Sequence, residues 1–214
     1  MDITAALKWG KENYPHLVGN EDAIVKLYKS RMLGEKIVEK TAFIYPYKSI
    51  ASLELDVPAM IMVTKINLLK SKPVDVCKVC GRKVCAEHSG RVTKYANSYL
   101  MADSSGVVEV FTFEDNSIIN VLESEENFII MGILTANKFS GKSFVLKSIV
   151  PLSKAEVDTF ISVMDYFTVN AAGNTLDEEK YNTFVSTLPR KDLCPKLERY
   201  YIVSRDNGRI TINM

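Results

Sequence analysis

The chain has 214 residues, of which 27 are lysine or arginine and 26 are aspartate or glutamate, so its formal net charge is +1. A chain this close to neutral is not basic over its whole surface, as a histone is, and any surface for a polyanion must be local. Its apolar runs are shorter than the roughly 18 residues of a membrane span, and its start has no secretory signal. We therefore expect a cytoplasmic protein whose 4 cysteines are reduced.

The first 56 residues are predicted to be a helical segment. Residues 3–13 and 22–32 have the apolar spacing of amphipathic helices, and Asn20 or Glu21 is placed to start the second helix. Gly34 and the region around Pro46 interrupt the pattern. No residue type here indicates chemistry, which favours a small helical cap over a separate binding module.

Residues 57–152 have the pattern of short strands. Strands are predicted over 59–69, 99–103 and 107–113, then a short helix over 115–124 and two further strands over 128–136 and 143–150. Ser104, Ser105 and Gly106 form the turn between the second and third strands, and residues 70–95 are predicted to be a loop. Five strands with a helix between the third and fourth are the arrangement of an OB-fold barrel.

Residues 153–214 are predicted to be helical again and to end in a hairpin. Ser153 and Glu156 form a capping box before an apolar stripe over 155–167, and a second helix is predicted over 177–188. Asn207 and Gly208 form a hairpin turn, which suggests a winged-helix-like domain. The change of composition at residues 151–153 predicts an accessible, protease-sensitive boundary. The predicted fold class is α+β, with a helical segment (1–56), an OB-fold barrel (57–152) and a winged-helix-like domain (153–214).

Three cysteines and one histidine lie close together in the sequence, with the spacing Cys77-x2-Cys80-x4-Cys85-x2-His88. Three thiolates and one imidazole complete a tetrahedron, as a structural zinc site requires, and leave no open position for catalysis. A disulfide and a chance clustering are the alternatives, of which a reducing compartment disfavours the first and the spacing disfavours the second. We predict a Zn²⁺ ion that folds residues 77–88, whereas the distant Cys194 is predicted to be a buried thiol.

The predicted zinc site lies in the connection between the first two strands, which also carries an excess of positive charge. From residue 65 to residue 94 there are eight basic residues and two acidic ones. In OB-folds this connection, called L12, commonly contacts the nucleic acid. A metal ion there would stiffen a long basic loop.

Residues 100–116, with the sequence LMADSSGVVEVFTFEDN, resemble the second and third strands of the OB-folds of replication protein A. In that family an apolar strand ends in Asp-x-Ser/Thr-Gly, and the next strand closes in a Phe before the helix. Residues 128–152 resemble the later part of the domain, with a strand reaching Gly132, a lysine-rich turn and a final strand. The cysteine cluster is similar to the zinc insertion of archaeal members, and an OB-fold followed by a winged helix is similar to the family's middle subunit.

The resemblance implies that the chain binds single-stranded DNA in replication, repair or transcription, at the nucleoid of an archaeal cytoplasm. It also implies partner subunits of the replication protein A type, or replication and transcription proteins, that bind the C-terminal domain. RNA stays open as a ligand, because the bases of both nucleic acids stack on aromatic side chains.

The outer surface of the second and third strands, with the loops L12 and L45, is the predicted binding face. Glu109 alternates with Val108, and because a charged side chain is costly in a barrel core, its face must be the outer one and must include Phe111. The position of Phe113 stays open between core and surface. For the aromatic side chains on this face, a position in the barrel core is the alternative to contact with nucleic acid. The predicted nucleic-acid contacts are these basic and aromatic residues: Lys83, Arg91, Lys94, Tyr95, Tyr99, Phe111, Lys138, Phe139 and Lys142.

The sequence does not predict an enzyme. The chain has 2 histidines, and one of them lies in the predicted zinc site, which leaves a single histidine for a Ser–His or Cys–His catalytic pair. Gly106, Gly132 and Gly141 are isolated and do not form a phosphate-binding loop. The alternative function is a structural or assembly subunit of a nucleic-acid-processing complex that mainly contacts proteins, although the charge excess of residues 65–94 favours nucleic acid.

Overall fold

The computed structural model describes residues 2–41, 44–81, 84–114, 121–137 and 141–213. Two helices open the chain, α1 (Ile3–Asn13) and α2 (Glu21–Thr41), which confirms the two predicted helices. The predicted interruption at Gly34 is wrong, because α2 continues through Gly34 as far as Thr41. A Cβ atom at Gly10 would lie 2.3 Å from Ile24 Cγ2, so the absence of a side chain at residue 10 lets α1 and α2 pack closely. No helix within the described ranges has the length and apolar character needed to cross a membrane.

Five strands form the predicted barrel. They close in the order β1-β2-β3-β5-β4, and β3 and β5 are parallel. This order is that of an OB-fold, in which a Greek-key connection brings the last strand back to the third. Of the helix predicted over 115–124, residues 121–124 are helical and residues 115–120 lie outside the described chain. The strands are β1 (Pro58–Cys77), β2 (Arg91–Asp103), β3 (Gly106–Glu114), β4 (Asn127–Asn137) and β5 (Gly141–Pro151).

The connection between β1 and β2 is a two-stranded ribbon, where the sequence predicted a loop over residues 70–95. The two strands stay paired beyond the barrel as far as Cys77 and Arg91. The prediction was wrong because a ribbon that leaves the barrel is solvated on both faces, so its residues lack the apolar alternation of a core strand. Pro73 is tolerated because β4 pairs with β1 only as far as Thr64, which leaves β1 as an edge strand in the described ribbon.

The C-terminal residues form a helix, a strand, two more helices and a hairpin. The three strands make a small sheet in the order β6-β8-β7. Asn207 and Gly208 have φ angles of +47° and +73°, as the predicted Asn-Gly hairpin turn requires. The elements are α3 (Lys154–Asn170), β6 (Thr175–Asp177), α4 (Glu178–Thr187), α5 (Pro195–Arg199), β7 (Val203–Asp206) and β8 (Arg209–Ile212).

Two hydrophobic clusters hold the elements together. The first fills the barrel with inward-facing residues of all five strands, such as Ile61, Val110 and Phe144. The second lies outside the barrel, where Ile129 and Met131 on the outer surface of β4 pack with buried residues of the C-terminal helices and hairpin. The C-terminal part therefore covers one side of the barrel and shares a core with it.

The predicted boundary at residues 151–153 is not accessible. Pro151 is buried, and Leu152 and Ser153 are 1% and 2% exposed. Arg31 of α2 donates one hydrogen bond to the Pro151 carbonyl and two to the carboxylate of Glu156 on α3. Because three elements meet here, we expect no protease cleavage at this boundary, and the prediction of an exposed linker is corrected.

Candidate nucleic-acid interface and metal centre

The alternation on β3 divides its side chains between the barrel core and the outer surface. Val108, Val110 and Thr112 are 8%, 0% and 0% exposed. Glu109 and Phe111, between them, are only half-buried. The prediction that Phe111 lies on the outer face with Glu109 is confirmed. The side chain of Phe113 lies outside the part of the chain that the structure describes.

Within the described residues, no α-helix of the outer cluster packs on the outer surface of β2 and β3. The outer cluster contains residues of β1, β4 and β5 but none of β2 or β3. On the covered side, a Cβ atom at Gly34 of α2 would lie 2.2 Å from the Ile149 carbonyl oxygen, so α2 lies directly against β5. The outer surface of β2 and β3 is therefore where an extended ligand has room, with Ser98 at its centre covered by its neighbours and 4% exposed.

Lysine side chains of the ribbon lie on the same side of the sheet as Phe111. Ser98 of β2 pairs with Phe111 on one side and with Lys70 on the other, so these residues form a row across three strands. Lys72 pairs with Ala96, two residues from Ser98, and Lys94 lies two residues further along β2. Side chains two residues apart in a strand share a face. We call the set of Phe111, Lys70, Lys72 and Lys94 the lysine face.

Two residues of the lysine face, Lys70 and Lys72, were missed from the sequence. The alternation Lys70-Ser71-Lys72 was the available signal, because i and i+2 residues of a strand share a face. It was not used because the segment was predicted to be a loop.

The other predicted contact residues do not lie together on the lysine face. Tyr99 is 2% exposed and packs inside the barrel beside its partner Val110, so its prediction as a stacking residue is wrong. Arg91 and Tyr95 are exposed, but they lie on the face of the ribbon opposite the lysine face, since they alternate with Lys94. Lys142 is exposed at the start of β5. Three predicted contacts lie outside the described residues: Lys83, Lys138 and Phe139.

The Asp-x-Ser-Gly sequence between β2 and β3 has a structural role. Asp103 Oδ1 accepts hydrogen bonds from the Ser105 and Gly106 amides at 2.7 and 3.0 Å, which closes the turn. Its Oδ2 accepts from the Ile50 amide at 2.7 Å and so ties the segment before β1 to the turn. Glu109 accepts a hydrogen bond from the Ser98 hydroxyl. These two carboxylates thus have partners within the protein.

The predicted metal ligands are brought together at the tip of the ribbon. The ligand atoms of Cys77, Cys80, Cys85 and His88 all lie within 4.8 Å of one another, and Cys85 Sγ is 3.2 Å from His88 Nδ1. The Gly81 amide donates to the Cys77 carbonyl at 2.9 Å, with Gly81 at φ +70°, and this turn places the first two thiols side by side.

The chemistry of this cluster fits a metal ion. The backbone amide of Cys80 donates to the Cys77 sulfur and, against the opposing effect of burial, lowers the pKa of Cys77 to about 6. The thiolate is the form that binds metals. Cys194, the remaining cysteine, is 4% exposed in the outer cluster, where burial raises its pKa. The four clustered residues can therefore hold a metal ion, as predicted.

Comparisons with known proteins add one likeness. No protein-family model matches the chain, and no curated protein matches it. A solved structure, the second OB-fold domain of replication protein A from Methanococcus maripaludis, is similar with a TM-score of 0.36 and 12% sequence identity. The similarity covers 50% of this chain and 96% of that one.

Proposed function

We propose that the chain binds single-stranded nucleic acid, DNA in the first place, on the lysine face and the adjoining outer surface of β2 and β3, and that it does so without catalysis. The observation that carries this proposal is the row from Lys70 through Ser98 to Phe111. It joins a basic strip to a half-buried aromatic ring on a surface of the barrel that no helix of the described residues covers.

The two kinds of side chain supply different parts of the affinity. An aromatic ring stacks on any base and contributes about 1–3 kcal/mol per base. Lysines contribute through counterion release, which lowers log K by about 0.7 per neutralised phosphate for each tenfold rise in salt. Three lysines therefore correspond to a salt slope of about 2. Because neither part reads base edges, we expect little sequence preference.

We propose that Cys77, Cys80, Cys85 and His88 hold a structural Zn²⁺ ion. An isolated two-stranded ribbon is marginally stable in water. The ligands lie at the end of β1 and in the segment before β2, so the cluster fixes the end of the ribbon. When bound, the ion supplies folding free energy to this tip. Positioning of the lysine face on a stiff arm is the expected consequence.

We also propose that the C-terminal part is a winged-helix-like domain that contacts proteins. Its element order and its β6-β8-β7 sheet fit that fold. The helix that would enter a DNA groove, α5, has 5 residues and packs one side on the protein, while Pro195 and Arg199 are exposed. Its Leu197 is 1% exposed, and Lys196 Nζ lies 2.6 Å from Glu156 Oε1. Duplex reading by α5 is therefore disfavoured, and partner subunits or replication and transcription proteins are the proposed ligands of this domain.

A structural or assembly subunit is the second candidate function. It is favoured by Ile66, Leu68 and Leu69, which are 52%, 48% and 43% exposed where β1 leaves the barrel. Apolar side chains clustered on a surface commonly mark a protein contact. A chain that used this patch alone would bind partners and show no affinity for nucleic acid.

Fluorescence anisotropy distinguishes the two candidates. Labelled single-stranded DNA, single-stranded RNA and duplex DNA are titrated at two salt concentrations. The triple variant Lys70→Ala/Lys72→Ala/Lys94→Ala should bind single strands at least tenfold more weakly, with a salt slope shallower by about 2. A matched variant with three exposed lysines of α2 changed, Lys29→Ala/Lys36→Ala/Lys40→Ala, has the same net charge and should bind as the wild type does. Equal loss in both variants would contradict the proposed face, and no binding by the wild type would favour the assembly function.

A further inference from the structure

The exposed side of α2 carries apolar side chains surrounded by lysines. Leu33 is 61% exposed, and Ile37, one turn further along the helix, is 37% exposed. Residues three, four and seven positions apart lie beside one another on a helix surface. At these spacings from Leu33 lie four exposed lysines: Lys26, Lys29, Lys36 and Lys40. We call Leu33, Ile37 and these four lysines the α2 patch.

The charge of the four lysines is not neutralised within the protein. No ion pair in the described part of the chain involves any of them. The lysines also stand in like-charge pairs three and four residues apart, a spacing that destabilises a helix. The exposed acidic residues of α2 are Glu21 and Asp22 in its first turn and Glu39 near its end, so none of them is next to Leu33. The α2 patch is therefore an apolar centre with a basic rim.

A groove of about 670 Å³ lies beside the α2 patch, between α2 and the segment before β4. Its apolar lining includes Leu27, Leu33 and Val121. Two of the four lysines also line it, and Asp22 is the acidic residue among its described lining. The lining follows α2 over about three helical turns, or about 16 Å. This length suits the apolar face of a short helix from another protein.

We propose that the α2 patch and its groove bind an acidic amphipathic helix of a partner protein. Such a helix places apolar anchors at i, i+3 or i+4, and i+7 into a groove of this kind. Its aspartates and glutamates would meet the basic rim, because complementary charges steer a partner and set its orientation. The proposal concerns a different surface from the lysine face and does not depend on nucleic-acid binding.

Two other ligands fit this surface less well. A nucleic acid needs rings on which its bases stack, and the described residues of the α2 patch and the groove include no aromatic side chain. A membrane surface needs apolar side chains that project into the lipid. Much of the apolar lining is recessed here, since Leu27 is 4% and Val121 is 2% exposed.

Fluorescence anisotropy with a labelled synthetic peptide and the full chain tests the proposal. The probe is a peptide of about 16 residues, long enough to form a helix, with leucines at positions i, i+4, i+7 and i+11 and glutamates on both sides of them. A scrambled peptide keeps the composition and charge and loses the apolar stripe. The probe should bind saturably and at least tenfold more tightly than the scrambled peptide.

Variants assign the binding to the α2 patch. The triple variant of α2 lysines, which is the control for nucleic-acid binding, should bind the probe at least tenfold more weakly. The triple variant of the lysine face removes the same charge elsewhere and should bind the probe as the wild type does. Leu33→Ala should weaken the probe severalfold, whereas Val169→Ala, 80% exposed on α3, is its control and should have no effect. All these residues are exposed, so the variants should keep the circular dichroism of the wild type.

Several results would overturn the proposal. They are no saturable binding of the probe, equal binding of the scrambled peptide, equal loss in the two lysine variants, or full binding by Leu33→Ala. Vesicles of phosphatidylserine and phosphatidylcholine, and single-stranded DNA, are titrated in parallel. If the α2 lysine variant lost affinity for either of these and not for the probe, the patch would have another ligand. Sedimentation of the chain alone should show a monomer, and a dimer lost in Leu33→Ala would assign the patch to a second copy.

Discussion

The buried carboxylate of Glu156 joins three parts of the chain, and its replacement by glutamine is the most direct test of how they hold together. Glu156 is 0% exposed and lies 2.5 Å from Arg31 of α2 and 2.6 Å from Lys196 of α5. We call these three residues the junction. Glu156→Gln keeps the shape and the amide can still hydrogen-bond, but the negative charge is lost. Arg31, itself 2% exposed, then keeps only Glu35 as an anionic partner.

The size of the effect follows from the pKa of Glu156. Burial by itself raises this pKa, but the hydrogen bonds and charge of Arg31, aided by Lys196, outweigh burial and lower it from 4.5 to about 2. At about 1.4 kcal/mol per pKa unit, this shift corresponds to about 3 kcal/mol of stability at neutral pH. Removal of one partner from a buried ion pair costs a similar amount, about 3–5 kcal/mol. We expect Glu156→Gln to lower the free energy of unfolding at pH 7 by about 3 kcal/mol.

The pH dependence has a definite sign. The folded-state pKa of Glu156 lies below its unfolded-state value, so the stabilisation is fully present above the unfolded-state pKa and is lost as the pH falls towards about 2. The difference between wild type and variant should therefore narrow at pH 3.5, by roughly 1.4 kcal/mol.

Urea unfolding followed by circular dichroism at pH 7 and pH 3.5 measures both quantities. Asp158→Asn is the matched control, because it changes a carboxylate to an amide in the same helix. The side chain of Asp158 is 59% exposed and forms an ion pair with Lys154 on the surface. An exposed pair of this kind contributes about 0.3–0.5 kcal/mol. If Glu156→Gln destabilised the protein no more than Asp158→Asn, or if its effect were the same at both pH values, the account of this junction would be refuted.

Three further predictions concern the metal cluster, the lysine face and the buried carboxyl group of Glu125. Mass spectrometry under native conditions should find one zinc per chain, and chelation should weaken single-strand binding while far-ultraviolet circular dichroism keeps the barrel signal, because the cluster fixes only the ribbon tip. Phe111→Ala should weaken single-strand binding by about 1–3 kcal/mol while unfolding changes by less than the roughly 3–5 kcal/mol of a buried Phe; Val107→Ala, 61% exposed on the same strand, is the control for both measurements. Glu125→Gln should raise the free energy of unfolding at pH 8 and leave it unchanged at pH 4. The pKa of Glu125 is raised by burial to about 7, so the folded state loses stability as this carboxyl group ionises. Allowing for solvent screening, we expect a gain of about 1–2 kcal/mol at pH 8 by urea unfolding.

The sequence was sufficient for those features that depend on local pattern. The clustering of Cys77, Cys80, Cys85 and His88 follows from their spacing, and the outer position of Phe111 follows from its alternation with a charged residue. The buried position of Tyr99 could also have been predicted from the sequence. The turn at residues 104–105 pairs Asp103 with Gly106, and counting back along both strands sets Tyr99 opposite Val110, on the core side. The error came from judging Tyr99 by its nearness to the basic segment and not by its register.

Other features depend on contacts between distant residues. The ribbon was missed because its strands are stabilised by pairing with each other and not by burial against a core. The junction of Arg31 and Glu156 joins residues 125 positions apart. An arginine in the middle of a helix gives no sign in the sequence that its charge is buried.

The junction and the lysine face are connected through the shape of the barrel. An OB-fold barrel has an outer surface on every strand, and among the described residues the helical parts cover β1, β4 and β5 and leave the surface of β2 and β3 open. The charges of Lys196 and Arg31 are neutralised within the junction, so they add nothing to the field outside. The lysines of the ribbon have no such partners among the described ion pairs, and their charge acts on the solvent side of the uncovered surface. A nearly neutral chain can in this way present a local basic strip beside an aromatic ring, and the proposed binding of a single strand depends on this arrangement.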